Sequence, residues 1–295
     1  MVDDFHYTSG KQQVVLETIS VTKEGAVLFA EILAPPINLL GPKLVRDLVS
    51  LIHGAEADET IQVLVFKSAD PDYFIAHVDV TRISEYREAA AQLTGEPSLG
   101  LLFRYLSATR LVTIAQIEGR VRGAGSEFVL ACDMRFAASE SAIFGQLEAA
   151  FGLMQGAGAI QHLTRLMGRG RALEVLLSAE DYDAKLAERY GWINRALPAA
   201  ALGDFVKSLA HRIASFPRGG CTVIKERVNE IALASTEDFR RDSDLFIECA
   251  RNPESQRLTK LAMNRGFQTR IAEMDLSQML GELGEKQSKP TVQGG

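Results

Sequence analysis

A glycine-rich turn and two glutamates are the groups in this chain whose types and spacing could carry out acid–base chemistry. The turn spans Gly119 to Glu127, with the sequence GRVRGAGSE, and an apolar run lies on each side of it. A turn from a strand into a helix leaves the first N–H groups of the helix unpaired, so that they can hold an anion or a developing oxyanion. The alternative is a tight turn that needs only permissive backbone angles. A dinucleotide site is disfavoured, because Phe128 stands where Gly-x-Gly-x-x-Gly requires its third glycine.

The two glutamates, Glu127 and Glu148, are the candidate acids and bases. Glu127 follows the turn directly, where the helix dipole alone would favour a carboxylate. Glu148 lies in FGQLEAAFGL, among apolar and small residues that would raise its pKa toward neutrality. Each glutamate alone would be read as structural. Together with the N–H cluster they form a minimal set for proton transfer beside a stabilised oxyanion.

Apolar runs and helical spacing predict the elements that position these groups. Two β-rich runs, Val14 to Val21 and Ala26 to Leu33, predict a hairpin-like pair. IQVLVF (Ile61 to Phe66) is a short continuous apolar run that predicts a strand covered on both faces. VTIAQIEG (Val112 to Gly119) predicts another buried strand, MRFAAS (Met134 to Ser139) is a further strand candidate, and helical patterns lie between these segments. This alternation indicates an α/β fold with parallel pairing.

The chain is nearly all helical in pattern after Gly156, and the SFPRGG break at Ser215 to Gly220 interrupts it. We therefore predict an α/β domain over residues 1–216 and a helical C-terminal region over residues 217–295. The polar end, GEKQSKPTVQGG, predicts a flexible tail after about residue 284.

Composition limits the classes of function. Of the 295 residues, 46% are hydrophobic and 24% are charged, and the net charge of −6 disfavours a surface that attracts nucleic acid. The three cysteines, Cys132, Cys221 and Cys249, form neither a CxxC nor a Cys/His cluster, so we expect no disulfide framework and no metal site. The first residues are acidic and polar, and no apolar run is long enough to span a membrane. We expect a cytoplasmic protein that binds neither nucleic acid nor membrane.

Several motifs resemble the enoyl-CoA hydratase/isomerase (crotonase) superfamily, in register from about Val14 to Pro217. They are LAPPIN, VLVFKSADPDYFIAHVDV, VTIAQIEGRVRGAGSEFVLACDMRFAAS and FGQLEAAFGLMQGAGAIQHLTRLMG. The resemblance implies a crotonase-like ββα spiral, in which two roughly perpendicular sheets are surrounded by helices, with a helical C-terminal region. It also implies a homotrimer or a dimer of trimers.

The resemblance implies a role for each site residue. The backbone N–H groups of Val78 and Ala124 would bind the thioester carbonyl of an acyl-CoA, and Ala76 would lie near the adenine of coenzyme A. Glu127 would help to activate a water molecule, and Glu148 would deliver a proton to C2 of a 2-enoyl-CoA. Coenzyme A would be part of the substrate, and no metal or redox cofactor would be needed.

Four departures from the family pattern bear on this site. His77 stands where the family has glycine, and its ring could face the thioester, face solvent, or be an exposed loop side chain without a role. Ala124 replaces a glycine, Leu147 replaces a proline, and Met154-Gln155 replaces an isoleucine and a proline. The changes at Leu147 and at Met154-Gln155 would reshape the floor of the acyl pocket.

The sequence favours a carbon–oxygen lyase that hydrates a 2-enoyl-CoA or dehydrates its product. A double-bond isomerase, a thioester hydrolase and a decarboxylase stay open, because all of them proceed through related oxyanions. A non-catalytic acyl-CoA-binding scaffold is the alternative of a different class.

Overall fold

The structure, a computed structural model, describes residues 7–9 and 12–283. The strands in these residues are β1 (Tyr7–Ser9), β2 (Gln12–Val14), β3 (Ile19–Glu24), β4 (Val27–Ile32), β5 (Val63–Ser68), β6 (Tyr73–Ile75), β7 (Val112–Ile117), β8 (Arg120–Arg122), β9 (Met134–Ala138), β10 (Ile143–Gly145), β11 (Asp181–Asp183) and β12 (Arg195–Leu197). The first two strands pair only with each other, and the remaining strands form two larger sheets.

The larger sheet has six strands in the order β12-β9-β7-β5-β4-β3. In this sheet β3 and β4 pair antiparallel, as predicted for a hairpin-like pair, although the first strand spans Ile19–Glu24 and not the predicted Val14 to Val21. The other neighbours in this sheet are parallel. Residues 63–66 of β5 are all buried, because one face of the sheet packs on the main core and the other packs on a helix, α7 (Ala199–Ala214). The predicted buried strands and their parallel pairing are confirmed.

The smaller sheet has the order β11-β10-β8-β6, and each of its strands has only three residues. Strand β8 lies between β6 and β10 and is parallel to both. The carboxyl ends of parallel neighbours lie at one edge of a sheet. The residues that follow β6, β8 and β10 are therefore brought to the same place.

Helices cover both sheets. Apart from α7, they are α1 (Pro42–Ala57), α2 (Ile83–Thr94), α3 (Leu99–Ala108), α4 (Gly123–Ala131), α5 (Ala159–Ser178), α6 (Ala184–Tyr190), α8 (Arg218–Ala232), α9 (Thr236–Ala250), α10 (Pro253–Asn264) and α11 (Leu276–Gly281). Two 3₁₀ helices span Glu148–Phe151 and Ala272–Asp275. Within the described ranges, none of these helices combines the length and apolar character needed to cross a bilayer.

The chain after Gly156 is less uniformly helical than predicted, because β11 and β12 lie in it and extend the two sheets. From Arg218 onward the described residues form helices and turns. The division into domains at residue 216 stays a prediction, and the predicted tail after residue 284 lies outside the described residues.

Candidate active site

The amides of Val78 and Ala124 follow the neighbouring strands β6 and β8. Leu40 pairs with Val78 as an isolated parallel bridge: its N–H donates to the carbonyl of His77 at 2.8 Å, and its carbonyl accepts from the N–H of Asp79 at 3.2 Å. Because successive residues of an extended chain point to opposite sides, the N–H and C=O of Val78 face away from Leu40. Ala124 lies in the first turn of α4, where N–H groups have no partner within the helix.

Two glycines allow the turn at the start of α4. Gly123 has φ +47°, which favours glycine, and a Cβ there would lie 2.9 Å from Oε1 of Glu148. At Gly125 a Cβ would lie 2.2 Å from the carbonyl oxygen of Ile75 in β6. The GAG sequence therefore sets how closely α4 approaches the loop of Val78.

Val78, Ala124 and Glu148 line one cavity of about 310 Å³. Most of the other lining residues are apolar, and α9 and α10 contribute a wall that sequence patterns did not assign to the site. The remaining lining residues are His77, Val80, Ile83, Leu147, Phe151, Leu153, Phe246, Ala250, Ser255, Gln256, Thr259 and Lys260. Such a cavity suits an apolar chain that ends in a polar, reacting group.

Glu148 begins the 3₁₀ helix that follows β10, and only 6% of its surface is exposed. Its Oε2 is buried and has no hydrogen-bond partner among the described residues. Burial, followed by repulsion from Glu127, raises the pKa of Glu148 to about 8. A carboxyl group with this pKa is protonated at neutral pH, and Glu148 lines the cavity.

Glu127 is also buried, but it lines neither this cavity nor the smaller one described below. Its Oε1 accepts hydrogen bonds from the N–H groups of Ala157 and Ala159, at 2.8 and 3.0 Å, at the start of α5. Burial raises the pKa of Glu127 to about 7, although these amides act to lower it. Glu127 and Glu148 thus interact electrostatically, and Glu148 holds its proton to the higher pH.

A second cavity of about 30 Å³ also touches Val78, Ala124 and Glu148, and the other residues around it include Tyr86 and Gly156. This volume is enough for one water molecule. Room for one water molecule therefore lies beside Val78, Ala124 and Glu148.

His77 is not an exposed loop residue, and the expectation that its ring could face solvent was wrong. Only 1% of its surface is exposed, and its ring stacks on Phe267 with 4.5 Å between centroids. Nδ1 lies 2.8 Å from the carbonyl oxygen of Val78, and Nε2 lies 2.9 Å from Oε1 of Glu273. Both ring nitrogens are therefore engaged within the protein.

Ala76 is fully buried beside Ile37 and Tyr73 and does not line the cavity. Its predicted place near an adenine stays a prediction. Asp79 fixes its loop, since its Oδ1 accepts hydrogen bonds from the N–H and hydroxyl of Thr81.

Glu273 and Phe267, which hold His77 in place, were missed by sequence reasoning. They lie almost 200 residues after His77, in the region where the motifs cease to match. The sequence signal for these two residues was an acid and an aromatic side chain in a short helical segment. The same pattern is also found on solvent-exposed surfaces, so it did not indicate a contact with His77.

The chain matches the family model described as "Enoyl-CoA hydratase/isomerase" over residues 22–264. The short-chain-enoyl-CoA hydratase of Clostridium acetobutylicum is 29% identical over 252 residues, which cover 79% of this chain and 95% of that protein. The crotonyl-CoA hydratase of Syntrophomonas wolfei is 30% identical, over 72% of this chain and 82% of its own length.

Among solved structures, a candidate enoyl-CoA hydratase from Streptomyces avermitilis is 49% identical, with a TM-score of 0.90. The match covers 93% of this chain and all of that one. The predicted crotonase-like fold is thereby confirmed. The chain belongs to the enoyl-CoA hydratase/isomerase family.

Proposed function

We propose that this protein hydrates a 2-enoyl-CoA thioester, and dehydrates the 3-hydroxyacyl-CoA product in the reverse direction. The observation that carries the proposal is that Val78, Ala124 and the buried Glu148 line one mostly apolar cavity. The proposal is also supported by two bacterial relatives that are named as enoyl-CoA hydratases.

The two amides would act as donors to the thioester oxygen. As the C2=C3 bond is attacked, negative charge moves onto this oxygen, and the N–H groups of Val78 and Ala124 stabilise it. Two such preorganised donors lower the barrier by about 3 kcal/mol each. Because the main chain acts, Ala124 can replace a glycine without loss of a donor.

The two glutamates would divide the proton transfers. Glu127, with the lower pKa, takes a proton from the water whose oxygen bonds to C3, and Glu148, with the higher pKa, gives its proton to C2. Water is added across the double bond, one proton moves from the glutamate pair to carbon, and one returns from water to the pair. We propose that coenzyme A enters only as part of the substrate and that no further cofactor takes part.

The test is the loss of the conjugated-thioester absorbance when crotonyl-CoA is added to the purified full chain. We expect the absorbance to fall and 3-hydroxybutyryl-CoA to appear. Binding without turnover of enoyl-CoA substrates of several chain lengths would contradict hydration and would favour a non-catalytic scaffold.

A second candidate, enoyl-CoA isomerisation, is favoured by the position of Glu127 outside the cavity lining. In that reaction Glu148 alone, in its ionised form, would remove a proton from C2 of a 3-enoyl-CoA and return it to C4, so the rate should rise as the pH approaches the pKa of about 8. Glu127→Gln separates the two reactions, because a glutamine Oε1 can still accept from Ala157 and Ala159. A hydratase should lose turnover by about 10²-fold or more, whereas an isomerase should keep most of its rate on a 3-enoyl-CoA.

We propose that the chain assembles as a homotrimer or a dimer of trimers. Support comes from α8, none of whose residues is buried and which exposes Val223, Ile224, Val228 and Ile231. Light scattering coupled to size exclusion should give three or six times the mass of one chain, and a monomer would contradict this. We also propose a cytoplasmic location, with which the three unpaired cysteines agree.

A further inference from the structure

The C-terminal segment formed by residues 267–273 packs across the loop that carries Val78. Phe267 stacks on the ring of His77, with an angle of 9° between the ring planes. Nε2 of Gln268 donates to Oδ1 of Asp79 at 3.2 Å, and Arg270 pairs with Asp70 at 2.6 Å. The segment is thus bound to the chain on both sides of His77, at Asp70 before β6 and at Asp79 in the loop after it.

Both ring nitrogens of His77 face groups that accept hydrogen bonds. The carbonyl oxygen of Val78 can only accept a hydrogen bond, so Nδ1 carries a hydrogen. The carboxylate of Glu273 likewise accepts from Nε2 when it is ionised. This geometry, with 2.9 Å between Nε2 and Oε1, fits a buried ion pair between His77 and Glu273.

Glu273 is ionised although it is fully buried. Burial acts to raise its pKa, but the net shift is downward. The pKa is lowered by the charge and hydrogen bond of His77, by the N–H of Gln268 and by the charge of Arg122. Oε1 accepts from the N–H of Gln268 at 3.0 Å as well as from His77. The ion pair is therefore supported on several sides.

Glu273 also contacts the turn of the second amide. Its main-chain carbonyl accepts from Nη1 of Arg122 at 2.8 Å, and Arg122 directly precedes Gly123 and Ala124. Arg122 is held from the other side by Asp181, at 2.6 Å. One residue of the C-terminal segment thus bridges the loop of Val78 and the turn of Ala124.

We propose that His77 and Glu273 are positioning residues, which hold the loop of Val78 against the turn of Ala124 and so set the geometry of the two backbone N–H groups. The inference rests on the proposed function, in which these N–H groups bind the thioester oxygen. His77 holds the Val78 carbonyl, while Leu40 binds the peptide groups on either side of Val78. The direction of the Val78 N–H is fixed by these bonds together.

Two conservative variants separate the bonds that His77 makes. An asparagine amide nitrogen takes about the place of Nδ1 and can donate to Val78, whereas a glutamine amide nitrogen takes about the place of Nε2 and can donate to Glu273. Both variants lose the cation. The matched control is His53→Gln on α1, where the side chain is exposed.

We expect the kcat on crotonyl-CoA to fall by about 10-fold or more in His77→Gln, because the bond to the Val78 carbonyl is lost and small displacements of a donor are costly. The kcat should fall clearly less in His77→Asn, which keeps that bond. The KM, and the Kd of unreactive butyryl-CoA, should stay within about two-fold of the unchanged protein, since ground-state binding depends less on the donors. His53→Gln should match the unchanged protein. Equal kcat values for His77→Gln and the unchanged protein would overturn the inference.

A variant that leaves Glu273 buried without a cation could unfold, so a charge-free pair is also tested. In His77→Gln/Glu273→Gln the two amides can bond to each other, and we expect a cooperative melt with kcat still lowered by about 10-fold or more. A folded double variant with an unchanged kcat would overturn the positioning role.

The ion pair is also tested without activity, by nitrogen NMR of the full chain labelled at histidine. The His77 signal is identified by its loss in His77→Gln, and at pH 7 it should show both ring nitrogens protonated. A neutral ring would overturn the inference. A failure of the unchanged protein to hydrate any enoyl-CoA would instead refute the proposed function, so the two failures are distinguishable.

Discussion

Replacing Glu148 with glutamine should impair turnover and stabilise the fold in the same protein. Glutamine has nearly the same shape but cannot donate a carboxyl proton to C2. General acid catalysis contributes about 10² to 10⁴ in rate, so we expect kcat on crotonyl-CoA to fall by that factor. Binding of butyryl-CoA should stay nearly unchanged, because most side chains that line the cavity are apolar and would contact the acyl chain.

The effect on stability follows from the raised pKa of Glu148. The carboxyl group loses its proton near 4.5 when the chain is unfolded and near 8 when it is folded. The folded protein therefore binds more protons between these values, and this group lowers the free energy of unfolding progressively as the pH rises from 4.5 to 8. One pKa unit corresponds to about 1.4 kcal/mol, so the full penalty above pH 8 is on the order of a few kcal/mol.

The assay is urea unfolding of both proteins at several pH values from 5 to 9. Glu148→Gln should show little gain in unfolding free energy at pH 5 and its largest gain above pH 8. If the buried amide lowers the free energy of unfolding, it does so equally at every pH and does not change how the gain varies with pH. The exposed Glu188→Gln serves as control and should show no such trend. Parallel pH profiles for Glu148→Gln and the unchanged protein would refute the reasoning.

Two further predictions concern the pH profile and the glycine turn. The kcat/KM for hydration should be bell-shaped with a maximum between about pH 7 and 8, because Glu127 must be ionised and Glu148 protonated; a flat profile from pH 5.5 to 9.5 would contradict this division of roles. Gly125→Ala should lower both the melting temperature and kcat, because a Cβ would lie 2.2 Å from the Ile75 carbonyl oxygen. The control is Gly170→Ala in α5, where a Cβ would meet open space, and this variant should be neutral or stabilising by about 0.5–1 kcal/mol. Equal effects of the two alanines in thermal melts would show that close approach at Gly125 is unimportant.

The long buried strands could be predicted from sequence because most of their residues are apolar. Residues 63–66 form a continuous apolar run and begin β5, and residues 112–117, which are apolar except for Thr113 and Gln116, form β7. The short strands β6, β8 and β10 were not predicted, since three residues are too few to show a period. These strands nevertheless carry the site, because their parallel pairing brings Val78, Ala124 and Glu148 to one edge.

The surroundings of individual side chains were less predictable. His77 lies in a loop by sequence, and only the folded chain brings Glu273 and Phe267 against it. Burial of Glu148 was predictable from its apolar neighbours, and the structure confirms it. The amides that hold Glu127 belong to the start of α5, some 30 residues later, so no local pattern indicated that contact.

The most direct test of the account is a crystal structure of the full chain with bound butyryl-CoA. We expect the thioester oxygen to lie about 2.7–3.1 Å from the amide nitrogens of both Val78 and Ala124. Glu148 should then face C2 of the acyl chain. A thioester oxygen bound elsewhere, or a Glu148 carboxyl turned away from C2, would contradict the proposed site.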